Sequence, residues 1–389
     1  MPVMEAKTIA EKTFVTEKAA AATPAKENAS AAASRALSRQ PEIDTAKGMA
    51  LMATVLGHIL LLHDWPSNWI FTFHMPAFFF LSGMTFKPER YSGYGHFLKE
   101  KWKKRLIPYL VIVGAAFLVC MLRPSYRLPV LADGWRTQLI WSFYYTQPRN
   151  LYVGQAWFLI ALFLAELMAY SWFKLFGKRH FLIKCYSLLL LAVIAVHIRR
   201  IDPFLPVGER LPWKMDSALC AAVFLLAGWG IAKWGGIPKL RPMAPFLFPL
   251  FTALSFYFGP RLFGYVNICD CVYVGAPYYY TAAFLGIAAL MMAALLLKGS
   301  RFLRFCGRNS LPLFALQTFA IYLVIEAIEK ATGTAYIPMF EMPGYKACLA
   351  VFAVAFGLML LFLWPWQLYK AGRGRKAHEY NEINNRNKQ

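Results

Sequence analysis

Beyond residue 45 the chain alternates between long apolar runs and shorter connectors rich in Lys and Arg. The apolar runs lie near residues 46–63, 69–86, 106–122, 153–173, 185–198, 216–232, 243–260, 278–297, 310–328 and 346–368. A helix rises about 1.5 Å per residue, so most of these runs reach across a hydrocarbon core of ~30 Å. The pattern predicts an all-α integral membrane protein of about ten transmembrane helices, with 185–198 the shortest. Residues 1–40 break the pattern. They are rich in Ala, Lys, Glu, Ser and Thr and hold no apolar core of the kind a cleaved signal peptide needs. They read as a flexible N-terminal tail, followed by a multi-pass membrane domain over 41–370 and a basic C-terminal tail over 371–389.

Composition agrees with the pattern. The 389 residues are 58% hydrophobic and 16% charged, against roughly 25% charged in soluble domains. Mean hydropathy is +0.42. These values exclude an ordinary soluble domain and a largely disordered chain. Net charge is +22. That excess would suggest nucleic acid in a soluble protein, but no nucleic-acid module is visible. It reads instead as the cytoplasmic bias of Lys and Arg around membrane helices. Placing both termini in the cytoplasm puts most of the 42 Lys and Arg on that side, which implies an even number of spans in a cytoplasmic (inner) membrane. The densest connector, KEKWKKR at 99–105, would lie beside anionic headgroups. Seven Cys, an odd number without zinc spacing, suggest neither a structural metal nor a complete disulfide framework.

An ionisable group inside a span is costly, and each one calls for a reason. Asp44, Lys47 and His58 share the first run. At about 100° per residue Lys47 and His58 differ by roughly 20° in azimuth and lie about 16 Å apart along the axis, with Asp44 on the same stripe. Asp44 and Lys47 could pair at i, i+3. His58 is a candidate general base, its ordinary pKa being near 6.5, although a histidine bonded to a neighbouring helix fits its position equally well. His74 precedes Pro76 in the second run, where a missing backbone donor favours a kink. Phe78, Phe79 and Phe80 read as packing or lipid contact. Glu166 and Glu326 could pair in the bundle interior, Arg199 and Arg200 read as interfacial anchors, and Gln317 is expected to make a packing hydrogen bond.

The strings IDTAKGMALMATVLGH at 43–58 and FHMPAFFFLSG at 73–83 resemble acyltransferase family 3 membrane proteins, in particular the branch related to fucose 4-O-acetylase. That family carries a basic residue, ten residues, then His in its first span. Here the pair is Lys47 and His58, with Lys in place of the more usual Arg. KKRLIPYL at 103–110, AWFLIALF at 156–163 and FCGRNSLPLFALQ at 305–317 are also similar to family segments. The last often ends in His in the family, so Gln317 receives no role in proton transfer.

The resemblance implies an O-acyltransferase, with cytoplasmic acyl-CoA, in particular acetyl-CoA, as donor. The acceptor it implies is a hydroxyl of an envelope polysaccharide or lipid-linked sugar. On this reading His58 removes the acceptor's proton and Lys47 contacts the donor. Lys103, Lys104 and Arg105 attract the nucleotide phosphates. His74 orients His58 or stabilises the oxyanion. Direct transfer and an acyl-histidine relay both fit. Membrane lipid is the expected surrounding partner, and neither nucleic acid nor metal is expected. The alternative is a multi-pass transporter or flippase for a glycan precursor, although no internal repeat is visible. A membrane assembly partner without chemistry comes last, since it would need no intramembrane histidines.

Overall fold

Apolar runs this long must satisfy their backbone groups internally once out of water, and only helices do so within one segment. In the computed structural model of the chain every regular element among the described residues is helical. The structure describes residues 40–386 except 61–64, 123–131, 133, 148–150, 152, 205–209, 260–264, 274–275 and 334–343, and gives no side-chain environment for 202, 203, 366 and 368–386. The N-terminal tail 1–39 and residues 387–389 lie outside the described residues.

The helices run in order α1 (Pro41–Gly57), α2 (Trp65–Met84), α3 (Tyr94–Leu122), α4 (Gly134–Leu139), α5 (Trp157–Phe176) and α6 (Phe181–His197), then α7 (Met215–Trp234), α8 (Ala244–Phe258), α9 (Ala276–Leu296), α10 (Arg301–Arg308), α11 (Ser310–Thr332) and α12 (Gly344–Arg386). Among the described residues each of the ten apolar runs is mostly helical. Seven of these helices are long and apolar enough to cross a membrane: α3, α5, α6, α7, α9, α11 and the part of α12 up to Pro365. Two of the other three are short, α1 with 17 residues and α8 with 15. The third, α2, has 20 residues but carries Ser67, Asn68, His74 and Ser82. The first run also shifts: the sequence places it at 46–63, whereas α1 spans Pro41–Gly57. Pro41 suits a first turn, where its missing N–H would be unpaired anyway, and Glu42 and Asp44 there complement the positive end of the helix dipole.

Helices α1 and α2 are embedded in their neighbours. Helix α7 packs against α2, α5 and α6, α9 lies on α2 and α8, and α11 lies on α12. In lipid, helices associate through close packing rather than hydrophobic exclusion, and small residues permit the closest approach. Two crossings depend on this. A Cβ on Gly83 of α2 would stand 1.9 Å from the Leu225 carbonyl oxygen of α7, and one on Gly228 would stand 2.0 Å from that of Phe80. Likewise, a Cβ on Gly48 of α1 would stand 2.2 Å from the Leu303 oxygen of α10, and one on Gly307 would stand 1.8 Å from that of Asp44. Phe78, Phe79 and Phe80 are buried, so this run packs inside the bundle and does not face lipid. Helix α2 continues through Pro76.

Candidate active site

The α1–α10 crossing sets the first part of the site. It brings Arg308 to Asp44, whose Oδ2 accepts from the guanidinium Nε at 2.9 Å. One turn on, Lys47 enters a cavity of about 130 Å³ with Arg105 of α3, Ser82 of α2, Thr85 just beyond it, Ser310 of α11, and the rings of Phe78, Phe158 and Phe314. Two cations, three hydroxyls and an aromatic wall suit a ligand that is anionic at one end and apolar at the other.

Arg105 is held there from behind. Its Nη2 and Nε donate to Glu166 of α5 at 2.9 and 3.2 Å, and Lys101 Nζ donates to the same carboxylate at 2.8 Å. Glu166 is 2% exposed and Lys101 5%. The Lys101 ammonium also sits 5.0–5.6 Å from the ring centroids of Phe86, Tyr91 and Phe97, within cation–π range. A π-helical turn over Trp102–Leu106 begins just after Lys101 and contains Arg105. Its i→i+5 bonds underwind the helix locally, and both cations reach one carboxylate. Glu166 thus faces the bundle interior and pairs there, as expected, whereas Glu326 takes Lys330 one turn along its own helix, at the surface. The basic connector therefore divides. Arg105 joins Lys47, whereas Lys103 is exposed and Lys104 pairs at the surface with Glu100 at 2.6 Å. Neither Lys103 nor Lys104 lines the cavity.

The histidines meet at the far end of α1. His58 follows the last residue of the helix, and its N–H still bonds to the Thr54 carbonyl at 3.1 Å. His74 is buried on α2. The two rings stand edge to face with centroids 6.3 Å apart, and Phe71 touches both at 5.7 and 4.9 Å. His74 Nδ1 lies 2.8 Å from the Ile70 carbonyl oxygen. A carbonyl can only accept, so Nδ1 carries the proton and a neutral ring keeps its lone pair on Nε2. In that tautomer His74 has no second N–H for an oxyanion, but it can accept a proton or orient a donor.

The two parts of the site share helices. Along α2, His74, Phe78 and Ser82 recur every four residues on one face. Ser82 lines the Lys47 cavity and His74 meets His58. On α11, Phe314 lies against Phe78, with ring centroids 6.3 Å apart. Gln317 comes one turn further, fully buried, with neither amide atom hydrogen-bonded. The expected packing bond of Gln317 is therefore not made. Buried amides are rarely left unsatisfied in this way.

The structure also assembles a second polar cluster, whose members no local sequence pattern brings together. Arg210 bonds Asp270 at 3.2 Å and stands 4.0 Å from buried Asp216. Lys214, itself buried, donates to Gln147 at 2.8 Å and to the Cys269 carbonyl at 3.0 Å. Thr146, Trp213, Lys214 and Cys271, the non-glycine residues with positive φ among those described, all lie in this cluster or one residue from it. Asn267 donates to Asp270 and to the Tyr265 hydroxyl, and the Tyr265 ring lies tilted against Phe71 with centroids 5.6 Å apart. The cluster therefore reaches the histidines through Phe71. Arg199, expected as an anchor, donates to the Asp270 carbonyl at 3.1 Å. None of the seven cysteines forms a disulfide. Among the described residues no group of His, Cys, Asp and Glu could hold a metal.

No curated protein and no solved structure matches the chain. The profile of an acyltransferase domain, that of acyltransferase family 3, matches residues 40–365. This range contains the cavity, both histidines and the polar cluster. The chain belongs to acyltransferase family 3.

Proposed function

We propose that this multi-pass membrane acyltransferase moves an acyl group, in particular acetyl, from acyl-CoA to a hydroxyl of an envelope carbohydrate or lipid-linked glycan. The reading rests on one observation above all: His58 and His74 meet at 6.3 Å at one end of the α1–α2 pair, and Lys47 and Arg105 line a cavity at the other. A thioester is already activated, so the demanding step is deprotonation of a weakly acidic alcohol as it attacks. His58 takes that proton. The alcohol oxygen bonds to the acyl carbon, the carbon–sulfur bond breaks, and the coenzyme leaves as thiolate, which gains a proton. His74, its tautomer fixed by Ile70, accepts from the His58 ring and orients it. Lys47 and Arg105 hold the donor's anionic end, while Lys103 and Lys104 raise the local concentration of anionic donor at the cytoplasmic surface. The acceptor approaches past Tyr265 and Asn267.

The test uses the full chain in nanodiscs with radiolabelled acetyl-CoA and membrane glycan extract. The wild type should move label onto glycan and release free coenzyme A in equal amount. A transporter or flippase would release none.

A further inference from the structure

Helices α3 and α4 enclose a second cavity of about 380 Å³, far more apolar than the Lys47 cavity. One wall is Leu110, Gly114 and Phe117 of α3, and the other is Trp135, Leu139 and Phe143 on and just after α4. Apolar cavities stay dry even at roughly 150 Å³ and take apolar guests, and an empty one loses the dispersion contacts of its lining. The cavity is continuous with a surface that faces hydrocarbon: Val111, Leu118 and Leu122 on α3 are 60–74% exposed. Only 22% of the α3 span is buried. Arg136, exposed, holds its guanidinium 5.5 Å from the ring of Trp135 at the edge of the cavity. A Trp and an Arg side by side at the mouth of an apolar slot match the chemistry of a headgroup above a chain, since the guanidinium binds phosphate and the indole favours the interface.

We propose that this cavity binds one acyl chain of a membrane phospholipid, with the lipid phosphate on Arg136. The bound chain fills the gap between α3 and α4 and steadies α4. The residues just beyond α4 lead to Gln147, which accepts from Lys214 in the polar cluster. The site is separate from acyl transfer and does not depend on that reading.

The test places the full chain in phosphatidylcholine nanodiscs doped with phosphatidylglycerol carrying a diazirine on its acyl chain. After illumination, adducts are mapped by mass spectrometry. Helix α6 is the reference for ordinary lipid contact, because its span is only 6% buried. Adducts on 110–117 and 134–143 should exceed those on α6 at least threefold. A Cβ at Gly114 meets nothing within 4 Å, so Gly114→Phe should fill the slot and bring its labelling down to the α6 level. Arg136→Gln changes an exposed residue and should at least halve the excess, which keeps the test decisive if Gly114→Phe does not fold. Adducts no denser than on α6, or an excess untouched in the folded variants, would overturn the proposal.

Discussion

The two histidines differ in what surrounds them, and this sets different expectations for each. His58 stands just past a helix end and is only partly buried, whereas His74 is buried and anchored to the Ile70 carbonyl. Removing a general base costs about 10²–10⁴-fold in rate, so His58→Ala should lower kcat by that factor with donor KM little changed. Lys47→Ala should instead raise KM for the acyl-CoA, with a smaller effect on kcat. Steady-state kinetics in nanodiscs separates the two patterns. Glu166 carries a stability prediction. It compensates two cations in a buried setting, and removing one member of such a group costs about 3–5 kcal/mol. Glu166→Ala should lower the unfolding temperature markedly, and Lys103→Ala, at an exposed position, should leave it unchanged. Differential scanning fluorimetry in detergent reads both.

At the scale of elements, the sequence was informative where periodicity and composition act locally. Each apolar run became a helix because a hydrocarbon solvent leaves the backbone little choice. The Lys47–His58 stripe was readable because both residues lie on or next to one helix. Contacts between helices were not readable. Nothing local pairs Asp44 with Arg308, 264 residues away, or sinks Lys101 among three rings while Lys104 stays at the surface. A signal for the latter did exist: Glu166 in an apolar run needs a cation, and Lys101 and Arg105 are spaced i, i+4. The Arg210–Lys214–Asp270 cluster depends on turns and positive-φ residues between helices, which hydropathy does not encode. The glycine crossings give the element-level prediction. Gly307→Val would put side-chain atoms into the Asp44 carbonyl, against a contact of 1.8 Å for Cβ alone. The strain should part α1 from α10 and abolish both folded yield and activity. Gly230→Ala on α7, where a Cβ meets nothing within 4 Å, should leave both unchanged. Size-exclusion yield of the membrane extract is the measurement.

For the whole molecule, the family profile spans nearly the entire helical region, and the polar residues of that region concentrate on a few helices. Helices α1 and α2 carry the site and are among those least suited to face lipid; their neighbours shield them. On the proposed function, this arrangement brings a charged donor and a hydroxyl acceptor to an imidazole while neighbouring helices keep the ionisable groups of the site from hydrocarbon. The orientation expected from charge puts both termini on the cytoplasmic side. Reporter fusions at residues 1 and 389 should therefore both read as cytoplasmic, and opposite sides would require an odd number of crossings.

The central claim is that His58 acts on an acceptor alcohol against a coenzyme thioester. The most direct measurement is transfer of radiolabel from acetyl-CoA to glycan by the purified chain, compared between wild type and His58→Ala at equal folded yield. The account predicts labelled glycan from the wild type and a loss of at least 100-fold in the variant, in line with the magnitude of general-base catalysis. Transfer by His58→Ala at the wild-type rate, or wild-type protein that releases no coenzyme A, would contradict it.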